Sequence, residues 1–304
     1  MKAKIVDGWP KNNRIRIHIT DANASEVNSI RRTILSDVPK MAITKVRFEQ
    51  GIIEEDGKIL ESVNVLPDEM LAHRLAMIPI PTYLDEFLFP QDDPNNANKP
   101  EEEWGSPQSE IIYHCSIRGP SDSESITVYA GDMNVLGETK LQIREEHAKI
   151  PLTSLSSGQF LEFYAYASLG RGRDHAKWNP AAAVAFEPRM KAVLNNAKKA
   201  KVLFDLNLTS KSGKSIDSSL FKNKACENIN DVIDLQKAMH QVGYGTGRED
   251  EFANAITLEE MPGEFVLTYD SDGSLEPAEI FNQACKELAG RFNTIQEDIN
   301  LAMK

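Results

Sequence analysis

The last 28 residues, Pro277 to Lys304, read PAEIFNQACKELAGRFNTIQEDINLAMK, and they decide how the rest of the chain is read. Phe281, Leu288, Ile295 and Ala302 recur every seven residues, and Cys285, Phe292 and Ile299 fill the second apolar position of each heptad. That pattern is a seam on one helix rather than a broad apolar face. Pro277 sits where the first turn of a helix accepts proline. At about 1.5 Å per residue, such a helix spans roughly 40 Å, longer than a small domain needs to cover its own sheet. A seam names no partner: packing on the chain's own sheet and packing on a second chain both satisfy it.

Working back from the helix, Ser271 to Ser274 read as a turn and Phe265 to Tyr269 as a strand. Ser210 to Pro262 is polar, with one amphipathic helix expected over Asn228 to Val242, and looks like an insertion. Lys201 to Leu208 is expected as a further strand. Short strand-like runs at Ile111 to Ile117, Ser125 to Tyr129 and Phe160 to Ala167, divided by Gly, Ser and Pro, predict a mostly β unit in the middle of the chain. Residues 90–107, PQDDPNNANKPEEEWGSP, are acidic, proline-rich and aperiodic, which predicts a solvated, mobile loop.

Towards the amino end, Leu71, Leu75 and Ile78 share a helical face between Pro67 and Pro79. Alternation over Arg14 to Ile19 predicts a strand. Asn23 followed by Glu26 has capping-box spacing, and Val27, Ile30 and Ile34 then repeat at helical intervals until Pro39. Met41 to Phe48 alternates again, so strand, helix and strand open the chain.

The 304 residues carry 41% hydrophobic and 26% charged side chains, a balance typical of globular proteins. No apolar run approaches the roughly 20 residues of a membrane span, and no membrane partner is expected. The opening MKAKIVDGWPKNNR has two early lysines but no apolar stretch behind them, so a cytoplasmic location is expected. The formal charge of −12 repels phosphate backbones, so contact with nucleic acid is expected only indirectly, through other proteins. Cys115, Cys226 and Cys285 are odd in number and far apart, which fits neither a disulfide framework nor a CxxC metal site.

Three stretches carry a resemblance. Asn28-Ser29-Ile30-Arg31-Arg32, Asp68 to Leu75 (DEMLAHRL) running into Ile78-Pro79, and Asp174-His175-Ala176-Lys177-Trp178 before Pro180 resemble the signature blocks of the α-like RNA polymerase subunits. The similarity points to the archaeal D-type member and the eukaryotic third-largest subunit, with the bacterial α amino-terminal domain more distant. It implies an α+β fold in which a discontinuous dimerisation domain, a sheet with long helices built from residues 1–47, 184–209 and 263–304, is interrupted by a mostly β insert domain over 48–183. Residues 210–262 then form a small inserted region.

The resemblance further implies a non-catalytic assembly subunit that pairs with a small α-like L subunit, docks the second-largest subunit and meets other polymerase subunits. Phe281, Cys285, Leu288, Phe292, Ile295 and Ile299 would form the pairing seam. Asn28, Arg31, Arg32, Glu69, His73, Arg74, His175, Lys177 and Trp178 would dock the large subunit. Some archaeal relatives hold iron-sulfur clusters where residues 210–262 lie, and many eukaryotic ones hold zinc in the insert domain. About four thiolates are needed for a cluster, and only Cys226 and Cys115 stand in those places, so no cluster and no zinc are expected. Catalytic magnesium would belong to the large subunits.

The plain readings of the same residues differ. Arg31 and Arg32 are adjacent, hence about 100° apart on a helix, so one of them must leave the buried side. Glu69 and His73, four apart, have a spacing that can ligate metal, although a hydrogen bond between them fits better without further ligands nearby. Asp68 is expected to cap its helix. An alternative, a free-standing metal-binding or hydrolytic enzyme using Glu69, His73 or His175, lacks a convergent nucleophile or ligand set. GYGTGR, Gly243 to Arg248, reads as a turn, because no strand precedes it and no helix follows.

Overall fold

The structure is a computed structural model that describes residues 1–55, 57–62, 66–121, 124–209 and 213–303. Within them the chain runs β1 (Lys2–Ile5), β2 (Arg14–Thr20), α1 (Ala24–Ser36), β3 (Pro39–Phe48), β4 (Ile52–Glu55), β5 (Lys58–Glu61) and α2 (Asp68–Ala76). The middle of the chain supplies β6 (Glu110–Arg118), β7 (Ser125–Tyr129), β8 (Asn134–Val135), α3 (Glu145–Ala148), β9 (Pro151–Ser156) and β10 (Phe160–Arg171). There follow β11 (Ala181–Leu194), α4 (Ala197–Phe204), β12 (Ala225–Cys226), α5 (Ile229–Gly243), β13 (Ile256–Ser271) and α6 (Pro277–Ala302). Pairings such as β1 with β2, β3 with β10 and β10 with β6 are antiparallel, and helices and strands are not in βαβ alternation, which makes the fold α+β.

The chain divides into two compact units. The first comprises Met1–Trp9, Arg16–Asn28 and Ala185–Thr268, and the second Pro10–Ile15, Ser29–Val184 and Tyr269–Lys304.

The first unit holds most of a five-stranded sheet in the order β1-β2-β13-β11-β12. Alternation places Ile15, Ile17 and Ile19 of β2 fully inside. α1 starts as its sequence dictates: Asn23 Oδ1 accepts from Glu26 N at 3.0 Å while Asn23 N donates to Glu26 Oε2 at 2.8 Å. A small core forms where Val232, Leu235 and Ala238 of α5 meet Ala200 and Leu203 of α4 and Ala192 of β11. Asn230 anchors α5 beneath the sheet, accepting from Trp9 Nε1 at 2.9 Å and from an Arg16 guanidinium nitrogen at 2.7 Å.

Two elements here differ from expectation. The segment around Lys201 is helix, not strand, because Asn196 Oδ1 accepts from the Lys198 and Lys199 amides and caps α4. Ile256 to Pro262, expected as part of a polar insertion, is the first half of the long strand β13. Positions 210–212 of the expected inserted region lie outside the described residues.

In the second unit, a four-stranded sheet in the order β3-β10-β6-β8 carries a core of Met41, Tyr113, Phe163 and their neighbours, closed by Leu71 and Leu75 of α2. Tyr113 donates to Leu141 O at 2.6 Å, and burial pushes its phenol above the usual range. Burial, with Asp132 and Glu162 nearby, likewise pushes the Cys115 thiol up to about 12, so it behaves as a small apolar side chain.

The acidic loop before β6 is internally tied rather than loose. Asp93, buried, accepts from Asn95 N at 2.8 Å, from Asn95 Nδ2 at 3.0 Å, from Ser109 Oγ at 2.7 Å and from Ser106 Oγ. Asn96 adds a second tie, donating to Pro90 O at 2.9 Å and accepting from Gly105 N at 3.2 Å. Asp68 does not cap α2; its carboxylate accepts from Gln50 Nε2, and Pro67 occupies the cap.

Candidate assembly interface

α6 is built from two stripes. The inward one is Pro277, Ile280 and Ala284, all buried, continued by Glu287 and Arg291. Glu287 accepts from an Arg171 guanidinium nitrogen at 2.7 Å, and Arg291 pairs with Asp37, whose side chain is only 1% exposed. Arg171 also donates to the Asp37 carbonyl, and Arg173 stands 3.7 Å from the Asp37 carboxylate. The register of the helix against its own body is therefore set first by apolar contacts and then by charge.

The second stripe is the seam, rotated roughly 80° from the first at 100° per residue. Phe281, Cys285 and Leu288 are half-buried, and burial pushes the Cys285 thiol up. Phe292, Ile295 and Ile299 are 62%, 52% and 52% exposed, and Leu301 and Met303 extend the apolar surface. Every described residue from Ala289 onwards is exposed. The heptad seam thus leaves the protein's own body about halfway along the helix, and its second half presents unpaired aromatic and aliphatic side chains.

The nine residues expected to dock a larger partner fall into three groups. On α1, Val27, Ile30 and Ile34 take the buried side, which leaves Arg32 exposed and Asn28 and Arg31 half-buried. On α2, Glu69, His73 and Arg74 are exposed, and Arg74 donates to Pro151 O at 2.5 Å. In the turn after β10, His175, Lys177 and Trp178 come together: His175 Nδ1 accepts from Lys177 N at 3.0 Å, and the Lys177 ammonium lies 4.4 Å from the Trp178 ring centre. Partial burial lowers the Lys177 pKa. Trp178 donates to Ser168 O at 3.1 Å and lies flat on Gly170, where a Cβ would stand 2.1 Å from the indole. This turn is fixed to the end of α1, since Arg173 N donates to Ser36 O at 2.9 Å. No hydrogen bond joins Glu69 to His73 among the described residues, so that expected pair is not formed; both residues are exposed. His175 commits its Nδ1 to a backbone amide of its own turn.

Residues 16–292 match the family model described as the RNA polymerase Rpb3/Rpb11 dimerisation domain. The chain belongs to this family. Among relatives of this RNA polymerase dimerisation family member is a DNA-directed RNA polymerase subunit Rpo3 from Picrophilus torridus, 28% identical over 95% of this chain and 97% of the relative. Another Rpo3, from Thermococcus kodakarensis, is 30% identical over 94% and 92% of the two chains. The similarity reaches a subunit of RNA polymerases I and III, rpac1 of Dictyostelium discoideum, at 24% identity over 95% and 79%.

Several residues that shape this Rpb3/Rpb11-type surface give no readable sign in the sequence. Ile280 and Ala284 are fully buried yet lie off the heptad, and Asp37 is an ordinary acid after a helix until Arg171, Arg173 and Arg291 converge on it. The one usable signal is charge on the inward stripe: Glu287 and Arg291 follow Ile280 and Ala284 at helical spacing.

Proposed function

We propose that this chain is a non-catalytic architectural subunit of a DNA-directed RNA polymerase, pairing through α6 with a small α-like L subunit and then docking the second-largest subunit. The observation that carries the reading is the exposed half of the seam, Phe292, Ile295 and Ile299, on a chain that belongs to a dimerisation family. A 26-residue helix that leaves its own body after about four turns is the shape an intermolecular helix pair requires. Aromatic and cationic anchors at Trp178, Lys177, Arg31 and Arg32 support the docking role.

In this reading the dimerisation domain is discontinuous, built from residues 1–47, 184–209 and 263–304, with the insert domain at 48–183 between its parts and 210–262 a small addition whose last residues, 256–262, already run in strand β13 of the five-stranded sheet. Cys226 supports the absence of a cluster in that addition: it is buried among the side chains of α5 and α4, and burial raises its thiol. The polymerase's magnesium chemistry then falls to the large subunits.

Stepwise reconstitution tests the proposal. Co-expression with the small α-like subunit should yield a complex that retains the second-largest subunit on a column, whereas the lone chain should not retain it. Equal retention by the lone chain would refute pairing as the first step.

A further inference from the structure

β6 begins at Glu110, whose side chain stands in the wall shared by two cavities of about 720 Å³ and about 420 Å³. The larger cavity is bounded by the Asp93-tied loop, the start of β6 and the segment Leu136 to Leu141. Phe87, Ile112, Leu136 and Leu141 supply its apolar surface, and Leu136, 54% exposed, carries that surface out to the rim. None of these residues belongs to the seam or to the three docking groups.

The charges in the wall are unequal. Glu86, Glu110 and Glu138 oppose Lys140, three carboxylates against one ammonium, a local balance of −2. Lys140 is already engaged, 2.8 Å from Glu86 and 3.0 Å from Glu138. The Glu110 carboxylate has no hydrogen bond or ion pair among the described residues. Desolvation raises its pKa, and Lys45, lining the smaller cavity, only partly offsets this. Gly105 keeps the space around the carboxylate open, since a Cβ there would lie 2.8 Å from Glu110 Oε2. A carboxylate that faces the cavity with no protein donor is free to take charge-assisted hydrogen bonds from a cationic ligand.

We infer that this cavity is a docking pocket for an arginine-bearing, aliphatic segment of a partner protein, the guanidinium pairing with Glu110 and the flanking aliphatic side chains covering Phe87, Ile112, Leu136 and Leu141. The guanidinium fork matches a carboxylate in two parallel hydrogen bonds, which a compact ammonium does not. A small free amine would leave the apolar rim at Leu136 uncovered, so the occupant is a peptide chain. The pocket is complete in this chain alone and is assayed without any other subunit.

The test is fluorescence anisotropy of the full chain with a fluorescein-labelled Gly-Leu-Arg-Leu amide, against the same peptide carrying citrulline, the neutral isostere, in place of arginine. The expected result is saturable binding of the arginine peptide, about tenfold weaker for the citrulline peptide and about tenfold weaker for Glu110→Gln. Leu136→Lys, at an exposed position where the fold tolerates change, should weaken binding similarly, with circular dichroism and melting unchanged for both variants. No saturation at millimolar protein, equal affinity for the two peptides, or unaltered binding by a folded Glu110→Gln would overturn the assignment.

Discussion

Arg291, near the middle of α6, pairs with Asp37, a carboxylate only 1% exposed at the end of α1. The same aspartate lies 3.7 Å from Arg173, and its carbonyl accepts from Arg171, which also binds Glu287 of the helix. Charged side chains thus hold the point where α6 leaves its own body. Breaking a buried pair costs more than the pair contributes, because the remaining charge is stranded.

Arg291→Ala should therefore destabilise the chain by about 1–3 kcal/mol in urea unfolding, Arg173 remaining to shield Asp37. Amide exchange over Leu288 to Thr294 should quicken as that stretch of α6 loses its tether. Unchanged stability and exchange would mean that the apolar stripe alone holds the helix.

Phe292→Asp with Ile299→Asp should abolish pairing with the small subunit while the isolated chain keeps its stability within about 0.5 kcal/mol, because both side chains already face solvent. Size-exclusion chromatography of co-expressed chains checks the first part and thermal melting the second. Normal pairing by the double variant would remove these residues from the seam.

The terminal helix is legible in the sequence because its heptads and Pro277 are local signals, as are the Asn23 and Glu26 cap and the Leu71 and Leu75 face of α2. Which side of α6 turns inward is not, since the decisive partners of Glu287 and Arg291 lie more than 100 residues away in sequence. Val202-Leu203-Phe204 in α4 suggests a strand because it is a short apolar run, and periodicity cannot separate strand from helix over so few residues. The tie at Asp93 depends on Ser106 and Ser109, a spacing that belongs to no regular period. The three blocks that carry the family resemblance are legible in the sequence, whereas the seating of Trp178 on Gly170 emerges only when the turn folds back on β10.

Hydrogen bonds from Ser106, Ser109 and Asn95 hold the Asp93 carboxyl down at about 2. A depressed carboxyl stabilises the fold above its unfolded value of roughly 4, and that contribution is lost as pH falls through the folded value. The stability difference between the wild-type chain and Asp93→Asn should thus be constant from neutral pH to about pH 5 and shrink between roughly pH 4 and pH 2. A difference independent of pH would show that the ionised carboxylate is not what ties the loop.

Gly170→Ala should lift Trp178 from β10, since the added Cβ has no room beneath the indole. Together with charge reversal at Arg31 and Arg32, it should weaken retention of the second-largest subunit by the preformed heterodimer, with α6 pairing intact. Tryptophan fluorescence reads the first effect and column retention the second; full retention by both variants would remove these residues from the docking surface.

The core shared by α5, α4 and β11 predicts that Leu235→Ala, at a fully buried position of α5, costs about 2–5 kcal/mol locally. Hydrogen exchange should quicken over α4 and α5 and stay unchanged over β6 and β10. Equal acceleration in both regions would show that α4 and α5 do not unfold apart from the sheet of β6 and β10.

The most direct test of the assembly role is the mass of the chain by light scattering, alone and after co-expression with the small α-like subunit of the same genome. A stable one-to-one heterodimer is expected, with the lone chain self-associating through Phe292, Ile295 and Ile299. A lone chain that stays monomeric and ignores the small subunit would contradict it.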